Sequence, residues 1–213
     1  MKKALKHIDL PYNKCIYSTA KELERSYKLI ENSYRFDLSK SEITEAIIER
    51  LKMYYITQGK IKAFLEKRYL APAADYFVES VLFFLKLYLA ASETKLEAHS
   101  ERQINKTKNA IRPDISVWKG DKVIAIIECK TQLGWNRDNW EEQYKMRDKV
   151  LKNSFPKAKS FLLVMTGINW GGFGEHRLLG KKYFCLLSNI WPLEYKGEFQ
   201  ILTPIEDLFC QLR

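Results

Sequence analysis

The amino-acid sequence predicts an α/β protein, a layered domain with a central mixed β-sheet flanked by helices. Three observations predict it. Helical periodicity fills the first part of the chain, runs rich in β-branched residues begin near residue 95, and one helix-like segment then separates two groups of such runs. The order is therefore helices, then strand, strand, strand, helix, strand, strand. A turn signal, Lys119-Gly120-Asp121-Lys122, makes the second and third strands an antiparallel hairpin, and the helix is the crossover that joins parallel strands.

Residues 20–70 are rich in helix formers and charge. Ser41 before residues 42–50 reads as a helix start, with Ile43, Ile47, Ile48 and Leu51 at helical spacing. Pro72 opens the next helix, residues 73–90, so apolar that only Asp75, Glu79, Ser80 and Lys86 interrupt it; a largely buried helix is expected. Strands are expected at residues 96–104, 111–118 and 123–130. Asp138 and Asn139 would cap a helix running to about residue 153, with Glu142 completing a capping box and Trp140, Tyr144, Arg147 and Leu151 on one face. Residues 159–166 and 181–188 read as the last strands. The glycines at 167, 171, 172 and 174 mark a loop, and Pro204 starts a short final helix. Residues 1–70 thus form a helical N-terminal region, suited to dimerisation or recognition, ahead of a core spanning residues 71–213.

Composition narrows the function classes. With 46% apolar and 29% charged residues, and no run of 18 or more uncharged apolar residues, a soluble chain that does not enter a membrane is expected. Thirty-six Lys and Arg against 26 Asp and Glu give a net charge of +10, which favours a polyanionic partner such as nucleic acid. Cys15, Cys129, Cys185 and Cys210 are far apart and lack metal-ligand spacing, as in a reduced, cytoplasmic protein. The basic start of the chain meets Asp9 and Pro11 where the apolar segment of a targeting signal would continue. His7, His99 and His176 are scattered, there is no Gly-x-Ser-x-Gly elbow, and Gly171-Gly172-Phe173-Gly174 lacks the lysine and serine of a phosphate loop.

The chemistry concentrates on one hairpin. Asp114 lies in its first strand, Glu128 and Lys130 in its second. By strict alternation Glu128 and Lys130 share a face with Ile124 and Ile126, so two charges end an apolar strand. Burying them calls for a compensating ion or salt bridge, and paired carboxylates suit a hard divalent cation with water and phosphate in its remaining positions. Register imposes a condition. A two-residue turn at Gly120-Asp121 with regular pairing would set Asp114 opposite Ile127 and put the acids on opposite faces, so a longer turn or a bulge is predicted.

Pro113-Asp114, thirteen intervening residues and Glu128-Cys129-Lys130 resemble the PD-(D/E)xK motif of restriction-endonuclease-like nucleases. The likeness covers about residues 73–190, including the order helix, three strands, helix, strand. It implies a restriction-endonuclease-like core and a metal-dependent DNA endonuclease, most like a type II restriction enzyme. Asp114, Glu128 and the Cys129 carbonyl would hold Mg²⁺, or Mn²⁺ in its place, and Lys130 would be catalytic. The family's further acid from the preceding helix would be Glu79, ahead of Asp75. The plain alternative is that Asp75, Glu79 and Lys86, within about 40° of one another on a helical wheel, form a wet stripe. Gln143 matches a glutamine of many relatives, whereas Arg147 stands where RecB-like members carry tyrosine.

DNA contacts are expected from Lys106, Lys108 and Arg112 before the motif, from Trp135, Asn136 and Arg137 after it, and from Gln143, Lys145, Arg147, Lys149 and Lys152 on the following helix. The resemblance also implies a homodimer. A structure-directed, repair or defence nuclease, such as a Holliday-junction resolvase, and a non-catalytic DNA-binding module of the same fold are the competing readings.

Overall fold

A computed structural model describes residues 3–106, 110–132, 139–167, 172–188 and 200–212. Three helices come first: α1 (Leu5–Ser33), α2 (Glu42–Phe64) and α3 (Ala74–Ala91). They are followed by β1 (Glu97–Ser100), β2 (Ile115–Lys119), β3 (Lys122–Lys130), α4 (Trp140–Ser154), β4 (Lys159–Thr166), β5 (Tyr183–Leu187) and α5 (Ile205–Cys210). The fold is α/β. The strands form one mixed sheet in sequence order, antiparallel from β1 to β3 and parallel from β3 to β5. The hairpin and the α4 crossover are both as predicted.

The sheet has two covered faces. Ile115, Val117, Ala125, Ile127, Cys129, Leu163 and Phe184 join α3, α2 and α5 in one apolar cluster. On the other face Ile126 meets Trp118, Val123 and Leu151, while Leu162, Val164 and Tyr183 meet Trp140 and Tyr144 of α4. Helix α3 owes its place to composition: Phe77, Val81, Leu85 and Leu87 are essentially inaccessible, each contributing about 1.5–3 kcal/mol on burial. Asp75, Glu79 and Lys86 form its exposed stripe.

Packing ties α2 into the sheet domain. Ile43, Ile47, Ile48 and Leu51 are buried in the same cluster as β3. The start of α2 is not capped by Ser41, whose side chain makes no capping bond. Buried Glu206 of α5 does that instead, accepting hydrogen bonds from the Ile43 amide (2.7 Å), the Thr44 amide (3.1 Å) and the Thr44 hydroxyl (2.5 Å). A carboxylate at a helix N-terminus meets orphan N–H groups and the favourable end of the dipole.

Several boundaries differ from the sequence reading. Helix α1 begins at Leu5 and contains Pro11, whereas the sequence reading placed helix formers only from about residue 20. β1 is four residues long because pairing with β2 begins at Glu97 and ends at Ser100. Asn139 is the N-cap residue of α4, but its side chain makes no capping bond, so the expected capping box with Glu142 is absent.

Candidate active site

The hairpin register decides which side chains meet. Lys119 pairs with Lys122 across the two-residue turn Gly120–Asp121, with Gly120 at φ 57° as the first central position of a primed turn requires. Trp118 pairs with Val123, but Val117 pairs with Ala125, so Ile124 is an extra residue, a β-bulge. From there Ser116 faces Ile126 and Ile115 faces Ile127. Asp114 thus comes beside Glu128, which the predicted bulge was required to achieve.

The bulge also corrects the assumed alternation. Val123, not Ile124, joins Ile126 on the α4 face, and Ile124 turns toward Thr94 and Leu212 on the other side. Beyond the bulge alternation resumes. Glu128 lies on the α4 face, and Cys129 points into the opposite core, where burial pushes its thiol well above the usual range. On β2 the Trp118 indole donates to the Ser116 hydroxyl at 2.8 Å, placing both on the α4 face, two and four residues beyond Asp114.

The acids differ in surroundings. Asp114 Oδ2 accepts a hydrogen bond from the Cys129 amide at 2.7 Å and one from Lys130 Nζ at 3.3 Å. Both donors come from β3, so the carboxylate clips the end of the hairpin. Glu128 has a side chain only 4% exposed. One of its oxygens, Oε2, is paired with the Arg147 guanidinium; the other, Oε1, is buried without a hydrogen-bond partner among the described residues. Burial pushes the Glu128 carboxyl above its ordinary range, the neighbouring Asp114 charge adds to this, and Arg147 opposes it.

Helix α4 delivers the remaining groups. Gln143 and Arg147, one turn apart, line a cleft with Tyr144, Glu128 and Lys130. Two anchors hold the helix over the sheet. Trp140 meets Phe173 and Tyr183 edge-on at 4.8 and 5.0 Å, and Asp148 pairs with Lys182 at 2.7 Å while accepting from the Ser160 hydroxyl.

Of the predicted site residues, Asp114, Glu128, Lys130, Cys129, Gln143 and Arg147 are brought together. Cys129 meets Asp114 through its amide, whereas a carbonyl role was expected. The structure does not bring Glu79 to the trio. It is exposed on α3, which packs on the face opposite Glu128, its charge acts on Arg50 and Tyr76, and no hydrogen bond or ion pair links it to Asp114 or Glu128 among the described residues. Asp75 is also exposed on α3. Lys106 and Arg112 are exposed on the chain leading to β2. Lys108, Trp135, Asn136 and Arg137 lie outside the described residues. Lys145 pairs with Glu141 at 2.7 Å, Lys152 lies 3.8 Å from Asp148, and Lys149 is exposed.

The sequence reading missed the bond between Arg147 and Glu128. A signal was present, because Arg147 falls in the stripe of Trp140, Tyr144 and Leu151, and a cation on a buried face calls for a carboxylate. Among the described residues no group of three His, Cys, Asp or Glu side chains is disposed to hold a metal ion, so any cation here would rely on the two carboxylates. Compared with protein-family models and with curated proteins, the chain matches none.

Proposed function

We propose that the chain is a Mg²⁺-dependent DNA endonuclease with a restriction-endonuclease-like core, acting as a type II restriction enzyme does. The observation that carries this reading is the bulge at Ile124, which sets Asp114 beside Glu128 on one sheet face with Lys130 on the Asp114 carboxylate. A hairpin built only for stability has no need of two adjacent acids, one buried with an oxygen that has no partner among the described residues.

The residues fit the ion. Mg²⁺ takes one or two carboxylates and fills its other positions with water and substrate phosphate, so Asp114 and Glu128 suffice, with the Cys129 carbonyl as a further donor. When bound, the cation supplies positive charge against the phosphate and acidifies water. Lys130, held at 3.3 Å from Asp114, orients the attacking water and offsets charge on the phosphate in an in-line displacement. Arg147 and Gln143, on the helix above, bind the DNA backbone. Arg147 has two anionic partners in this scheme: Glu128 in the free protein, and a phosphate once DNA is present, which releases Glu128 for the cation. Cutting both strands calls for two such sites, hence a homodimer.

Incubation with plasmid DNA and Mg²⁺ tests the reading. Discrete fragments are expected, with a Lys130→Ala protein slower by at least about 100-fold. A smear would indicate a nonspecific nuclease and selective cutting of branched DNA a structure-directed one. Cleavage by the Lys130→Ala protein at the original rate would remove the active-site assignment, and no cleavage at all would leave a DNA-binding module.

A further inference from the structure

Arg102 follows directly on the residue that faces Asp114. Ser100 pairs with Ile115 at the end of β1, and one step further the Glu101 amide donates to the Asp114 carbonyl at 3.3 Å. The Ser100 hydroxyl donates to the same oxygen at 3.0 Å. Glu101 itself has φ 50°, a left-handed backbone that sterics disfavour for a residue with a Cβ. Such strain persists only where the surroundings hold it, and it gathers at functional sites.

Beyond that bend Arg102 reaches back over β2. Its guanidinium carbon lies 3.8 Å from the centre of the Trp118 ring. The indole is buried and its N–H is committed to Ser116, whose hydroxyl donates in turn to the His99 carbonyl at 3.4 Å. The segment is fastened on its far side as well. The Ile104 amide donates to the Ile111 carbonyl at 3.2 Å, and the Asn105 side-chain amide to the Ser154 hydroxyl of α4 at 2.7 Å. Arg102 is therefore held on a fixed platform, yet among the described residues no carboxylate pairs with it. A guanidinium covered on its face keeps its N–H edge, and that edge matches two phosphate oxygens at once.

We infer that Arg102, stacked on Trp118, is a binding subsite for a phosphate of the DNA strand beside the one being cut. Spacing and charge select this ligand. Neighbouring strands lie about 4.8 Å apart, so the row Glu128, Asp114, Glu101 crosses β3, β2 and the end of β1 in about 10 Å. Arg147 stands at the β3 end of that row and Arg102 at the β1 end. A lone phosphate would meet one of them, whereas a phosphodiester backbone meets both. The inference rests on the reading of DNA as substrate and adds to it the path of the strand, from α4 across the two acids to the segment after β1.

Anisotropy titrations of the full chain with a labelled DNA duplex, Ca²⁺ replacing Mg²⁺, test it without cleavage. An Arg102→Gln protein is expected to bind about tenfold more weakly and to lower the salt slope by about 1. Adding Arg147→Ala should bring the total to about 2, because the two arginines meet different phosphates. Arg102→Lys keeps the charge without the planar fork, so the slope should stay and affinity fall severalfold; it decides the matter should glutamine unfold the segment. Arg68, over the Tyr69 ring at 5.0 Å in the segment after α2, is the control, and Arg68→Gln should change neither quantity. Wild-type slope in the Arg102→Gln protein, wild-type affinity in the Arg102→Lys protein, or an equal loss in the control would each overturn the inference and leave the cleavage reading standing. The expected losses in a chain that cuts no DNA would uphold the subsite and remove the nuclease. A wild-type chain that binds no DNA would overturn both.

Discussion

Glu128 is the residue on which the site's energetics turn. Its carboxyl is held above the ordinary range by burial and by Asp114, so in the folded chain it keeps its proton to higher pH than in the unfolded chain. Ionisation then favours the unfolded state, and stability falls as pH rises from the unfolded value through the folded one. A Glu128→Gln substitution removes that penalty. In the absence of divalent metal the variant is expected to melt at higher temperature than wild type above the carboxylate range, with the gap closing under acidic conditions. Thermal unfolding across pH in a chelator measures this. A wild type that gains stability on the variant as pH rises would contradict the sign. The same substitution is expected to weaken Mg²⁺ binding, so its two effects oppose each other.

Among the elements, α2 and the β2–β3 hairpin show how distant or local irregularities set geometry. The start of α2 depends on Glu206, more than 150 positions away in the chain, which accepts three hydrogen bonds there. Replacing Glu206 with alanine leaves buried donors unpaired and is expected to lower stability by about 3 kcal/mol, read from denaturant unfolding. A change within a few tenths of a kcal/mol would show that Ser41 can take over the cap. The hairpin teaches the complementary lesson. Its turn is legible from Gly120-Asp121, and the need for a register shift follows from the spacing of Asp114 and Glu128, but which residue bulges does not. Ile124 and Val123 are both β-branched and apolar, and the choice between them is made by which fits beside Ile126 and Leu151 under α4.

The whole molecule combines a net charge of +10 with a cleft where Lys130, Gln143 and Arg147 gather beside two acids. Binding of DNA is expected to be strongly salt-dependent, the logarithm of affinity falling with the logarithm of salt by about 0.9 for each phosphate contacted. Anisotropy titrations with Ca²⁺ in place of Mg²⁺ would measure the slope, and an Arg147→Ala protein is expected to reduce it by about 1. A flat dependence would mean that the positive charge does not meet phosphates. Among the described residues no helix is long and apolar enough to cross a membrane.

By itself the sequence determined the α/β class, the strand–helix order from α3 to α5, the buried face of α2 and the pairing requirement on Asp114 and Glu128. These follow from local periodicity, turn chemistry and charge placement, which neighbouring residues carry. Only the tertiary structure decided that Glu206 caps α2, that Arg147 pairs with Glu128, that Ile124 is the bulged residue and that Glu79 stands apart from the trio. Each depends on what lies across a sheet face or at the far end of the chain. Packing, rather than spacing along the backbone, selects among side chains that the sequence leaves equivalent.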